Sequence, residues 1–72
     1  EISAKELSRQ IDRFLATLDE ENQMMFVRRY WYSDSISDIA ERFQTSDNNI
    51  SVRLSRIRKK LKTHLKKEGF EI

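Results

Sequence analysis

Apolar residues recur three and four positions apart along nearly the whole chain, the period of amphipathic helices. Leu7, Ile11, Phe14, Leu15 and Leu18 form one stripe and predict a first helix from about Ser3 to Leu18. Ser3, with Glu6 three residues on, has the form of a capping box. Asp19 then opens a second helix, to about residue 32, with Glu20 and Glu21 in the first turn. Carboxylates there meet the positive end of the helix dipole, so capping accounts for these adjacent acids without acid–base chemistry. Met24, Met25, Phe26, Val27, Tyr30 and Trp31 make the second helix apolar around much of its girth. Such a helix is either central to a bundle or has a second face for a partner, and core packing, the commoner use, is the expectation.

Ser33, Asp34 and Ser35 interrupt the pattern, and Ser35 with Asp38 caps a third helix over about 36–43, with Ile36, Ile39, Ala40 and Phe43 facing inward. After the turn Gln44-Thr45-Ser46, Ser46 caps a fourth helix over about 47–67 by accepting from the amide of Asn48 or Asn49. Ile50, Leu54, Ile57, Leu61 and Leu65 form its core face. At 100° per residue the opposite face collects Asn48, Val52, Ser55 and Lys59, flanked by Ser51, Arg56 and Lys62. The expected fold is all-α: four helices packed on Leu7, Ile11, Phe14, Val27, Tyr30, Ile39, Ala40, Phe43, Ile50, Leu54, Ile57 and Leu61, with a C-terminal helix-turn-helix over about 36–67. Gly69 ends the last helix as a C-cap residue, after lysines that suit the negative end of the dipole.

Charge turns this pattern into chemistry. Residues 1–41 hold nine acids and five bases, net −4, whereas residues 42–72 hold three acids and nine bases, net +6. The overall charge of +2 therefore conceals a dipolar molecule. Between Asp47 and Lys67 there are eight Lys or Arg and no further acid. A basic run by itself is usually a solvated helix face; following a short capped helix across a three-residue turn, it is the layout of a helix-turn-helix, whose second helix enters the DNA major groove. Val52, a β-branched apolar residue amid the polar face, either packs on a thymine methyl or is an isolated exposed valine.

The remaining composition is mainly exclusive. At 72 residues, with no Pro and one Gly, the chain has material for one domain and lacks the punctuation of tight hairpins. The absence of Cys excludes disulfides and thiolate zinc sites and fits a reducing cytosol. A single His, no Gly-rich loop and no spaced carboxylate–His cluster give no enzyme, metal or cofactor site, and His64 reads as a surface residue near a helix end. No apolar run reaches the roughly 18 residues of a membrane span. The chain begins at Glu1 instead of Met, so a single helical DNA-binding domain over 1–72 is expected to be the C-terminal part of a longer chain.

Residues 29–61, RYWYSDSISDIAERFQTSDNNISVRLSRIRKKL, resemble region 4, the C-terminal promoter-recognition domain of bacterial RNA polymerase sigma factors, most closely the extracytoplasmic-function type. The resemblance is carried by Arg29-Tyr30 ending the second helix, Ile39-Ala40-Glu41 in the third, and the stretch Arg53 to Leu61. It implies binding of the minus-35 promoter element in double-stranded DNA, docking on the flap of the polymerase β subunit, and a cytoplasmic bacterial protein. An anti-sigma factor is a further implied partner; a small-molecule substrate or a membrane is not. By position, the base-facing residues are Asp47, Asn48, Ser51, Val52 and Ser55, next to the cap Ser46. Arg56 is the strongest phosphate or base-edge contact, Arg53 and Lys59 are backbone contacts, and the amide end of the third helix, near Ser35 to Ser37, meets a phosphate. For Arg53, at the edge of the core stripe, an ion pair across the bundle is an equal alternative. The chain departs from the pattern at Gln44 and Ser33, where the family usually has Gly, and at Thr45 and Asp34, where it usually has apolar residues.

Two other readings are weighed against this one. A LuxR-type response-regulator output domain also has four helices, but its recognition helix usually carries Thr-Val and a later His where this chain has Asn49-Ile50 and Arg53. A protein-interaction module binding polymerase or an anti-sigma factor would use the aromatic second helix and leave the basic fourth helix unexplained.

Overall fold

The computed structural model describes residues 3–70; residues 1, 2, 71 and 72, the ends of the expected domain, lie outside the described residues. The described chain is four α-helices with no strand: α1 (Ala4–Leu15), α2 (Glu20–Tyr30), α3 (Ile36–Arg42) and α4 (Asp47–Lys67). Each begins as its sequence dictates. Ser3, Asp19, Ser35 and Ser46 have extended backbone, and their side chains accept from the amides of Glu6, Asn22, Asp38 and Asn49, at 2.8–3.1 Å. Glu6 does not complete its box: its carboxylate accepts instead from Arg9 and Gln10.

The first three helices end earlier than their apolar patterns suggest. After Leu15 the backbone tightens into bonds three residues back, Thr17 N–H to Phe14 O at 2.9 Å and Leu18 N–H to Leu15 O at 3.1 Å. The Thr17 hydroxyl also donates to Phe14 O, so this helix end is satisfied locally without a further turn of helix. α2 gives way at Trp31 and α3 at Phe43, because Ser33 and Gln44 take positive φ, 59° and 55°. Around Gln44 the amides of Gln44 and Thr45 donate back to Glu41 O and Ala40 O, a Schellman closure made without glycine. The same closure after α4 uses Gly69, φ 89°, and brings in Phe70, which is buried, as is Leu65.

The core lies where α2, α3 and α4 meet. Met25, Ile39, Ile50 and Leu54 are fully buried there, joined by Phe14, Phe26, Ala40 and Ile57, with Leu15, Leu18, Ile36, Phe43 and Leu61 packed around them. Four residues expected in this core are not in it: Leu7 and Tyr30 lie on the surface, and Ile11 and Val27 are half-buried outside the cluster. α1 and α2 both pack on α4 more than on each other, which leaves a groove between them. Within α2, Met25 and Phe26 face the core while Met24, Tyr30 and Trp31 face out, so only part of the apolar girth serves packing.

His64 is also corrected. It is half-buried between α4 and α1, its ring 5.8 Å from that of Phe14 and its Nε2 3.3 Å from Oε1 of Gln10, itself buried. A polar pair thus holds the end of α4 onto α1.

Candidate nucleic-acid interface

α3 and α4 meet across Phe43–Ser46, and the geometry of that corner depends on two local features. Gln44 reverses the chain through its left-handed backbone, and Ser46 then closes the first turn of α4. A third tie spans the corner: the Ser37 hydroxyl donates to Oδ2 of Asp47 at 2.8 Å, joining the first turns of the two helices. Ser35, Ser37, Ser46 and Asp47 therefore form one exposed cluster at the mouth of the helix pair. Ser35 and Ser46 each accept one amide in capping and keep a hydroxyl hydrogen to donate.

Along α4 the outward face is continuous. Asn48, Ser51, Val52, Arg56 and Lys59 are exposed and Ser55 is half-buried, while Ile50, Leu54 and Ile57 on the opposite side are buried. Val52 is 39% exposed and takes no part in the core cluster. At 1.5 Å per residue, Asn48 to Lys59 covers about 16 Å of helix, a length that can lie along a major groove. An outward face that is uncharged from Asn48 to Ser55 is thus followed by Arg56 and Lys59, and by Lys60 and Lys62, all exposed.

Two arginines of α4 leave this face. Nη1 of Arg53 bonds to Glu21 and Nη2 donates to Oδ1 of Asn22 at 2.8 Å, both partners in the first turn of α2. Arg58 donates to the Tyr30 hydroxyl at 2.6 Å. The wheel hints at both positions, since each lies nearer the core stripe than Val52 does, but the identity of the partners depends on how α2 crosses α4.

A second surface was not resolved by sequence reasoning. Between α1 and α2, floored by Leu15, Phe26 and Leu61, runs an apolar groove, with Leu7 and Ile11 on one wall and Val27, Tyr30 and Trp31 on the other. Trp31 is 82% exposed at its rim, and Tyr32, 61% exposed, lies beyond with Arg28 over its ring. The signal in the sequence was the aromatic excess of α2. Among the described residues no three His, Asp or Glu side chains converge as a metal site would require, and no helix is long and apolar enough to cross a membrane.

A comparison with known families decides between the helix-turn-helix readings. The family model for sigma-70, region 4, matches residues 8–61, more than half of the chain and the whole of the helix-turn-helix corner. The chain belongs to the sigma-70 region 4 family. It is therefore a DNA-binding, helix-turn-helix part of a sigma factor, a class of protein that acts in transcription initiation with RNA polymerase, and not a LuxR-type output domain. Comparison with curated proteins and with solved structures gives no match. The matched stretch stops at Leu61, so Lys62, Lys66, Lys67 and the Gly69 closure of this sigma region 4 domain lie beyond it.

Proposed function

We propose that this sigma region 4 domain, of the extracytoplasmic-function type and working in the bacterial cytoplasm, recognises the minus-35 promoter element with α4 in the major groove. The observation that carries the reading is the outward face of α4. Uncharged Asn48, Ser51, Val52 and Ser55 occupy the part of the helix that would face base edges, with Asp47 at one end and Arg56 and Lys59 at the other. Uncharged side chains add little nonspecific affinity, so their value lies in discrimination, whereas the cations supply attraction to any duplex. The amide end of α3, near Ser35 to Ser37, meets a backbone phosphate, with Ser46 beside it. Docking on the flap of the polymerase β subunit uses the groove between α1 and α2, an apolar surface that this fold leaves open. Its exposed aromatic rim also favours a second reading, capture by an anti-sigma factor, which is compatible with the first.

The experiment is transcription from a panel of minus-35 variants with Val52→Gln. The substitution exchanges a methyl-packing side chain for one that can pair with adenine, a change of about 1–3 kcal/mol at one base pair. Preference should move at one position with the melting temperature nearly unchanged, because Val52 lies outside the core cluster. Unchanged preference with lowered stability would make Val52 a packing residue and remove this face from the reading surface.

A further inference from the structure

Arg53 stands out because its position and its contacts point in different directions. By position it follows Val52 and precedes Ser55 and Arg56, in the middle of the helix that meets DNA. By contact it belongs to α2. Its guanidinium is shared between the Glu21 carboxylate and the Asn22 amide oxygen, two acceptors on successive residues. A planar fork that satisfies two acceptors fixes direction as well as distance. The acceptors are themselves held: the Asn22 backbone is bonded to the cap Asp19, at the start of a helix whose Met25 and Phe26 enter the core. On α4 the step from Val52 to Arg53 is 100° of helix rotation, so the side chain lies at the margin of the Ile50–Leu54–Ile57 face. A guanidinium engaged with Glu21 and Asn22 does not also reach a phosphate on the Val52 side.

We propose that Arg53 is a positioning residue for promoter recognition: it fixes the rotation of α4 against α2, and so the aim of Ser51, Val52 and Ser55, without touching DNA. This rests on α4 being the reading helix. The apolar contacts of Ile50, Leu54 and Ile57 keep α4 attached but are non-directional, and a helix seated on them alone can roll. Polar ties at Asp47, Arg58 and His64 hold α4 at other points, and the fork at Arg53, with two acceptors, opposes the roll level with the middle of the outward face. Base-edge hydrogen bonds lose their alignment under a small rotation, while attraction between exposed lysines and phosphates barely changes.

The test is duplex binding by this chain, measured by fluorescence anisotropy over a range of salt. One probe is a duplex selected by the wild-type chain from a pool randomised at the minus-35 element, and the other is a random-sequence duplex. Arg53→Gln should weaken the selected duplex about tenfold, leave the random duplex nearly unchanged, and keep the slope of log affinity against log salt. Glu21→Gln should do the same, although it makes the chain more positive and would strengthen binding if charge alone mattered. The exchange Arg53→Glu with Glu21→Arg should recover most of the lost preference. If instead Arg53→Gln flattens the slope by about one unit on both duplexes, and the exchange binds worse than either single variant, Arg53 is a phosphate contact and the inference is overturned. Glu21→Gln, an exposed substitution, keeps the question answerable even if Arg53 variants unfold. A wild-type chain that enriches no sequence from the pool would overturn the reading of α4 itself, an outcome separate from any behaviour of Arg53.

Discussion

Gln44 shows what single residues contribute here, and what they cost. It holds the turn between α3 and α4 at φ 55°, a conformation that carries a penalty of about 1 kcal/mol for a residue with a Cβ. Gln44→Gly should therefore raise stability by about 0.5–1 kcal/mol, or roughly 3–6 °C in melting temperature for a domain of this size. Gly69→Ala should move it the other way: no atom lies within 4 Å of the added Cβ, so any loss comes from φ 89° alone. Calorimetry on the two variants checks both signs, and a Gln44→Gly chain no more stable than wild type would show that the Schellman closure already offsets the strain. Residue-scale features of this kind were mostly legible where they are local, the Glu6 half of the first capping box excepted. The four N-caps follow from a Ser or Asp placed just before an apolar pattern, because cap and partner are three residues apart. The burial of His64 was not legible, since Gln10 lies 54 positions away and no local pattern brings the two together.

At the scale of the element, α4 divides its cations by direction. Six basic residues lie between Arg53 and Lys62, and counting four or five of them near phosphates gives a salt slope of about −4. Two of the six, Arg53 and Arg58, are committed to α2, which leaves Arg56, Lys59, Lys60 and Lys62 for the duplex. The slope should then be about −3 to −4, at roughly 0.9 per phosphate. Arg56→Gln should flatten it by about one unit, while Arg58→Gln should leave it unchanged, as should Tyr30→Phe. A flattening with Arg58→Gln would mean that the bond to Tyr30 yields to DNA on binding. Helical period gave the two faces of α4 correctly, because the core side of a helix is fixed by its own apolar spacing. It could not assign residues at the margin, where a long side chain turns either way according to what the neighbouring helix offers. α2 shows the same limit. Its apolar residues exceed what one packing face can bury, and which of them stay outside depends on α1 packing against α4 more than against α2.

Across the whole molecule, the two surfaces lie on different helices. The exposed cations and the proposed reading residues are on α4 and at the α3 corner, whereas the open apolar groove is walled by α1 and α2, and only Arg58 and Leu61 of α4 line it. Binding of a protein in the groove and of DNA on α4 should therefore be separable by mutation. Trp31→Ala removes the most exposed apolar side chain of the rim, and Leu7→Ser alters the facing wall; neither residue belongs to the core cluster, so the melting temperature should stay within a few degrees of wild type. If the groove takes the β flap, the double variant should bind an isolated flap at least tenfold more weakly, since a large aromatic at a groove rim commonly carries more than 1 kcal/mol of an interface. Duplex affinity and its salt slope should not move. Flap binding that weakens steeply with salt but ignores Trp31 and Leu7 would instead locate polymerase on the lysines of α4, where it would compete with DNA. Salt dependence thus distinguishes the two arrangements even before any mutant is made, because apolar docking lacks the counterion release that phosphate or acidic partners impose on a basic helix.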